Sequence, residues 1–241
     1  MARRKDKSNR YILKVSGELF SKEGEHVSFS RYDQIAQQII KIVKVTGIQL
    51  AMVVGGGNIF RGSERASYID SSEADSMGML STVINGIALR EALVRNGAKQ
   101  TRLMTAFSLP EFAEPYIRLK AKHHLDENRI IVLAGGLGLP GFSTDSAVAQ
   151  YAHELECDLV LKASTVNGVY DSDPKKNNSA RKIDKLTYRQ ALQQELKVMD
   201  STAFAVCGKS EIPMFIFDIK DLNMLPEILE GNYSFGSLIT K

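Results

Sequence analysis

Two lysines, an aspartate and three glycine turns are the residues whose types and spacing can do chemistry. Lys14 lies inside a short apolar run just before Ser16-Gly17, and Lys162 closes another apolar run, LVLK. Taken singly, each reads first as an edge lysine or one whose stem snorkels to water. Two lysines ending separate strands beside glycine turns supply point charges for a polyphosphate, and the glycines let backbone N–H groups reach its oxygens without a Cβ in the way. The stretch VVGGGNIFRG, residues 53–62, sets Gly55, Gly56 and Gly57 behind such a run. It matches neither G-x-G-x-x-G opening a helix nor G-x-x-x-x-G-K-[ST]. Asp145, in FSTDSA, either complements a helix dipole or holds the two ammonium groups apart and accepts a magnesium-bound water, as phosphoryl transfer requires. Arg61 offers a planar fork for a phosphate or is a surface arginine, and Asp75 is similarly ambiguous. STVNGVYDSDP, residues 164–174, is a loop by its Asn-Gly and Asp-Pro chemistry. In it Tyr170 either packs on a base or anchors the loop.

These residues need elements to position them. Residues 11–15 read as a buried strand. Ser30 is placed as the cap of a helix whose Ile35, Ile39, Ile42 and Val43 form a stripe ending at Gly47. A strand is expected at 48–54, a helix at 73–96 closed by Gly97, a strand at 101–106 and a helix at 111–125. Next come a strand at 130–133, a helix at 143–156 and a strand at 158–162. The pattern then loosens until strands at 212–217 and 237–239. Alternating strands and helices, with strands apolar on both faces, predict a mostly parallel sheet covered by helices on both sides. Ligands of such sheets bind beyond the carboxyl ends of the strands, where Ser16-Gly17, Gly55-Gly56-Gly57, Gly135-Gly136 and Lys162 all fall.

Composition excludes several function classes. The 241 residues are 44% hydrophobic and 24% charged, ordinary for a globular protein, and no apolar run reaches the roughly 18 residues of a membrane span. The N-terminus MARRKDKSNR lacks a signal-peptide core, which makes the cytoplasm the expected location. Cys157 and Cys207 are too few for a disulfide framework and read as reduced thiols, so metal binding by cysteine is not expected. A net charge of +3 falls short of a dedicated nucleic-acid binder. Arg3, Arg4, Lys5, Lys7 and Arg10 read as a solvated tail over residues 1–9, ahead of one domain over 10–241, with a nucleic-acid arm as the minor reading.

The motifs KVSGE at 14–18, VVGGGNIFRG at 53–62, DSMGMLSTVINGIAL at 75–89, FSTDSA at 142–147, LKASTVNGVYDSDP at 161–174 and ELKVMD at 195–200 together resemble the bacterial-type uridylate (UMP) kinases of the amino acid kinase superfamily. The resemblance covers nearly the whole chain. It implies a three-layer α/β/α sandwich, ATP with magnesium as donor, UMP as acceptor, pyrimidine nucleotide biosynthesis as the setting, a homohexamer, GTP as activator and UTP as inhibitor. It implies that Lys14, Val15, Ser16, Gly17, Gly57, Arg61, Ser164, Tyr170 and Asp173 contact ATP. Gly56, Asp75 and the loop Leu137, Gly138, Leu139, Pro140, Gly141, Phe142, Ser143 and Thr144 would hold UMP. Lys14, Lys162 and Asp145 would be the catalytic charges, with Asp200 a further candidate and no metal ligated directly by protein. The rival readings are a non-catalytic nucleotide-storage protein on the same fold and a kinase for another small acid of the superfamily.

The sequence departs from the family at residues 135–145, GGLGLPGFSTD, where the family shows Thr at the position of Leu137, Asn at Leu139 and Phe at Gly141. Reading of the uracil is therefore expected to fall to backbone groups, Ser143, Thr144 or ordered water. The helical stripe Met77, Leu80, Val83 and Ile84 either faces a partner chain or packs in the core.

Overall fold

The computed structural model describes residues 9–61, 68–174, 176–177, 179–196 and 198–241. The basic residues of the expected tail up to Lys7, and Gly62 of the glycine motif, lie outside the described residues.

The chain runs β1 (Arg10–Val15), α1 (Phe29–Thr46), β2 (Gln49–Val54), α2 (Ser71–Arg95), β3 (Arg102–Thr105), β4 (Glu114–Pro115), α3 (Arg118–Asp126) and β5 (Ile131–Ala134). It continues α4 (Thr144–Glu154), β6 (Leu159–Ser164), β7 (Val169–Tyr170), β8 (Lys182–Ile183), β9 (Lys185–Thr187), α5 (Tyr188–Gln193), α6 (Ser201–Ser210), β10 (Met214–Asp218), α7 (Leu225–Leu229) and β11 (Gly236–Thr240). Nine strands form one sheet in the order β4-β3-β5-β2-β1-β6-β10-β11-β9. Every pairing in it is parallel except β10 with β11. This is the three-layer α/β/α arrangement that the alternation predicts.

Strand geometry explains the two cores. Side chains alternate across a strand, so Tyr11, Leu13 and Val15 of β1 enter the core shared with α1, α2 and α7. Ile12 enters the other, under α3 to α6. In β6, Leu159, Leu161 and Ala163 likewise take the first face and Val160 the second. By the same parity Lys14 and Lys162 both point to the second face, where α4 lies.

Three expectations are corrected. Ser28, not Ser30, stands at the N-cap of α1, and its hydroxyl bonds Ser30 rather than the helix backbone. The helix expected at 111–125 begins only at Arg118: Pro115 lacks an N–H, the residue before it is driven to extended backbone, and the segment pairs with β3 as β4. The loop at 164–174 contains β7, which pairs with β8 as an antiparallel hairpin.

Helix α2 is long and apolar enough to cross a membrane by length and composition alone. In the fold it packs against α1, β3 and β5 through Val83, Leu89, Ala92 and Leu93. Met77, Leu80 and Ile84 are exposed on its outer side while Val83 is buried, so the apolar stripe read from the sequence is split between surface and core.

Candidate active site

Strand register places Lys14 of β1 directly beside Lys162 of β6 on the same sheet face. Like charges directly opposite one another are destabilising, so this pair requires an anion. Asp145 provides it from the first turn of α4. Its Oδ1 is 3.1 Å from Lys14 Nζ and its Oδ2 2.8 Å from Lys162 Nζ, and only the second contact is an aligned hydrogen bond. Both lysine side chains are about nine-tenths buried. Burial disfavours the Asp145 charge, but Lys14 and Lys162 overcome that and hold the carboxyl below the ordinary carboxylate range. For Lys162, burial pushes its ammonium down, Asp145 opposes this, and the like charge of Lys14 adds to the fall. Lys14 Nζ also donates to Ser16 Oγ at 3.1 Å, and Lys162 donates to the Val198 carbonyl.

Lys14 and Lys162 open onto a cleft of about 840 Å³, whose lining does not include Asp145. Its walls include Lys14, Ser16, Gly17, Gly56, Gly57, Thr144, Lys162, Ser164, Tyr170 and Asp173, all expected from the sequence. They also include Glu18, Thr165, Val166, Asp171, Ser172, Lys176 and Gln194, which sequence reasoning missed. The sequence signal for Asp171 and Ser172 is the Asp-Ser-Asp run, which reads equally as turn chemistry. Val15 lies in the core of the strand floor, and Arg61 is not a wall residue. Arg61 donates to Glu18 Oε1 at 2.5 Å and to the Gly57 carbonyl at 3.0 Å, beside the cleft.

The three glycines have separate reasons. A Cβ on Gly55 would stand 2.8 Å from Gly17 N, and one on Gly17 would stand 2.7 Å from Gly57 N, so these two turns touch backbone to backbone. Gly56 is pressed against α2, where a Cβ would meet the Gly78 carbonyl and Ser81 Cβ at 2.8 Å. A Cβ on Gly57 would meet only Arg61 Cγ, at 3.9 Å, an ordinary contact.

On the other side of Asp145, residues 137–143 form the loop into α4. Ser143 caps α4, accepting from Asp145 N and Ser146 N. Asp75 Oδ2 accepts from Gly141 N at 2.7 Å. Leu137 packs against the core beneath α3 and α4, whereas Leu139 and Phe142 are exposed, as are Pro140, Gly141 and Ser143. Gly138 adopts a φ of +72°, and a Cβ there would stand 3.2 Å from the Ala106 carbonyl oxygen, a left-handed position that suits glycine. Asp200 caps α6 by accepting from Ala203 N at 2.9 Å, and its other oxygen accepts from the hydroxyls of Ser143 and Ser146. It thereby ties the start of α6 to the start of α4.

Among the described residues no group of three or more His, Cys, Asp and Glu could hold a metal. Asp145 Oδ1, buried and without an aligned donor, is an acceptor suited to a water on magnesium that arrives with phosphate.

Charged strand ends, glycine turns and a helix N-terminus around one cleft define an α/β protein built for phosphorylated ligands. The chain belongs to the amino acid kinase family, whose model matches residues 9–218. Similar solved structures include a UMP kinase from Bacillus anthracis, 37% identical with a TM-score of 0.91 over 98% of this chain and 97% of that one. Another is a UMP kinase from Ureaplasma parvum, 34% identical with a TM-score of 0.88 over 96% and 98%. A uridylate kinase from Archaeoglobus fulgidus, 23% identical with a TM-score of 0.74 over 95% and 99%, shares the fold. The resemblance read from the motifs is thus borne out at the level of family and neighbours.

Proposed function

We propose that this chain transfers the γ-phosphoryl group of ATP to UMP, giving ADP and UDP in pyrimidine nucleotide biosynthesis. The observation that carries the reading is the register pair Lys14 and Lys162 held by buried Asp145 at the floor of the cleft. Two fixed ammonium groups aimed at one point stabilise the charge that develops on a phosphoryl group in flight, and they cost no reorganisation at the moment of transfer. Asp145 opposes the burial penalty on the Lys162 ammonium and orients both side chains. Magnesium, when bound with ATP, would neutralise phosphate charge, and Asp145 is the side chain placed to accept from its water. The cleft is lined by no histidine or cysteine among the described residues, which favours direct in-line transfer over a phosphoenzyme.

ATP in this reading occupies the cleft against Ser16, Gly17, Gly57, Ser164, Tyr170 and Asp173, while UMP lies toward Asp75 and residues 137–144. A kinase for another small acid and a storage protein are the competing readings, and a fully assembled Lys-Asp-Lys set favours catalysis over storage. A homohexamer with GTP as activator and UTP as inhibitor belongs to the same proposal. The exposed apolar side chains Met77, Leu80 and Ile84 support the assembly, and the regulators rest on the likeness to UMP kinases. Two buried thiols accord with a reducing cytoplasm. A coupled ADP-release assay across UMP, CMP, glutamate, aspartate and carbamate tests the reading. Turnover with UMP above all others is expected; turnover of a carboxylate or carbamate instead, or none at all, would replace it.

A further inference from the structure

Asn85 sits in the middle of α2 and is fully buried. A buried amide in a helix interior has poorer propensity than leucine and is costly unless every polar atom is bonded. Here they are. Asn85 Nδ2 donates to the Gly55 carbonyl and to Asn58 Oδ1, each at 2.7 Å, and its Oδ1 accepts from Tyr32 OH at 2.6 Å. Asn58, itself buried, passes the link on by donating to the His26 carbonyl at 2.7 Å. Gly55 N donates to the Val15 carbonyl at 2.9 Å, so the first residue of the glycine turn is clamped through its N–H from β1 and through its carbonyl from Asn85.

The same helix grips the opposite loop. Thr82 Oγ1 accepts from Gly135 N at 2.7 Å and Asp75 accepts from Gly141 N. Positions 75, 82 and 85 repeat at helical spacing and share one face, so a single rigid rod holds both loops that flank the Lys14-Asp145-Lys162 set. A local cost in propensity and burial at such a place is what a positioning role requires.

We infer that Asn85 is a positioning residue of the glycine turn: it fixes the Gly55–Gly57 backbone relative to the catalytic charges through its bonds to Gly55 and Asn58. The inference rests on the phosphoryl-transfer reading above and adds to it a residue that touches no substrate. Misplacing reacting groups by about 1 Å costs on the order of a hundredfold in rate, so partial loosening of the turn should be felt in kcat before affinity.

The test compares Asn85→Leu, Asn85→Ser and Tyr32→Phe, each assayed well below its own Tm. Tyr32→Phe removes one bond of the network but leaves both contacts to the turn. Steady-state kinetics with ATP and UMP is paired with hydrogen–deuterium exchange of the peptide 53–61. The Asn85 variants should lower kcat by about tenfold or more with smaller changes in either KM, and should speed exchange at 53–61. Tyr32→Phe should lower Tm yet keep kcat and the 53–61 exchange near wild type. Should Asn85→Leu fail to fold, Asn85→Ser carries the comparison. Wild-type kcat or wild-type exchange in Asn85→Ser would overturn the inference, as would an equal kcat loss in Tyr32→Phe at an equal drop in Tm. Absence of UMP turnover in the wild type would instead overturn the functional reading, and the exchange arm would still decide whether Asn85 holds the turn.

Discussion

The donor side of the cleft and the acceptor loop facing it are built from different materials. Lys14 and Lys162 are buried and Asp145 mostly so, all fixed by strand register and a helix start, and each has its partner within the set. Residues 139–143 are exposed, two of them are glycine or proline, and the loop is tied by Gly141 N to Asp75 and by the Ser143 hydroxyl to Asp200. Buried charges in a fixed register tolerate little change. An exposed loop tied at two points tolerates substitution.

Asp145→Asn should strain that contrast most. It keeps the shape but leaves two buried like charges uncompensated, a loss of about 3–5 kcal/mol for breaking a buried pair, together with nearly all activity. Thermal unfolding and turnover measured on one preparation check both, and a variant of normal Tm and kcat would dissolve the distinction between the two sides. The pH dependence has a definite sign. Asp145 titrates lower in the folded protein than in the unfolded chain, so its stabilisation is present above the unfolded carboxyl's pKa and is lost as pH falls through the folded value. The Tm gap between wild type and Asp145→Asn should therefore narrow in acid; a gap that widens there would contradict the assignment.

Lys14→Ala and Lys162→Ala come next, each lowering kcat by roughly 10²–10³-fold, the range for removing one preorganised electrostatic contact. Near-normal kcat in either removes that lysine from the mechanism.

The smallest effects belong to the acceptor loop, where the structure separates two leucines that look alike in sequence. Leu137 packs on the core and Leu139 is 56% exposed. Leu139→Asn should lower KM for UMP several-fold and raise the UMP/CMP ratio by restoring one hydrogen-bonding side chain, a net gain on the order of 0.5–1.5 kcal/mol. Leu137→Thr should lower Tm, by partial loss of buried apolar area, and leave KM unchanged. If Leu137→Thr alone improved KM, position 137 would face the nucleotide, and the contrast between the two leucines would reverse.

Much of this molecule was legible in the amino-acid order because local physics wrote it there. Continuous apolar runs marked β1 and β2, a helical stripe closed by Gly47 marked α1, and special residues at strand ends marked the mouth of the cleft. The hairpin of β7 and β8 and the late helices α5 and α6 were less visible. The hairpin's strands are two residues each, and the helices are short and announced by Thr187 and Asp200 at their caps rather than by a long stripe.

By itself, then, the sequence determined which residues carry charge, where the chain turns and which faces are apolar, since each depends on neighbours within one turn or one strand. Tertiary structure alone decided that Lys14 lies beside Lys162, that Asp145 stands between them and that Asn85 reaches the glycine turn. Each of those contacts joins residues 17 to 148 positions apart. Such distances are closed only when parallel strands, connected through helices, fall into register around two shared cores.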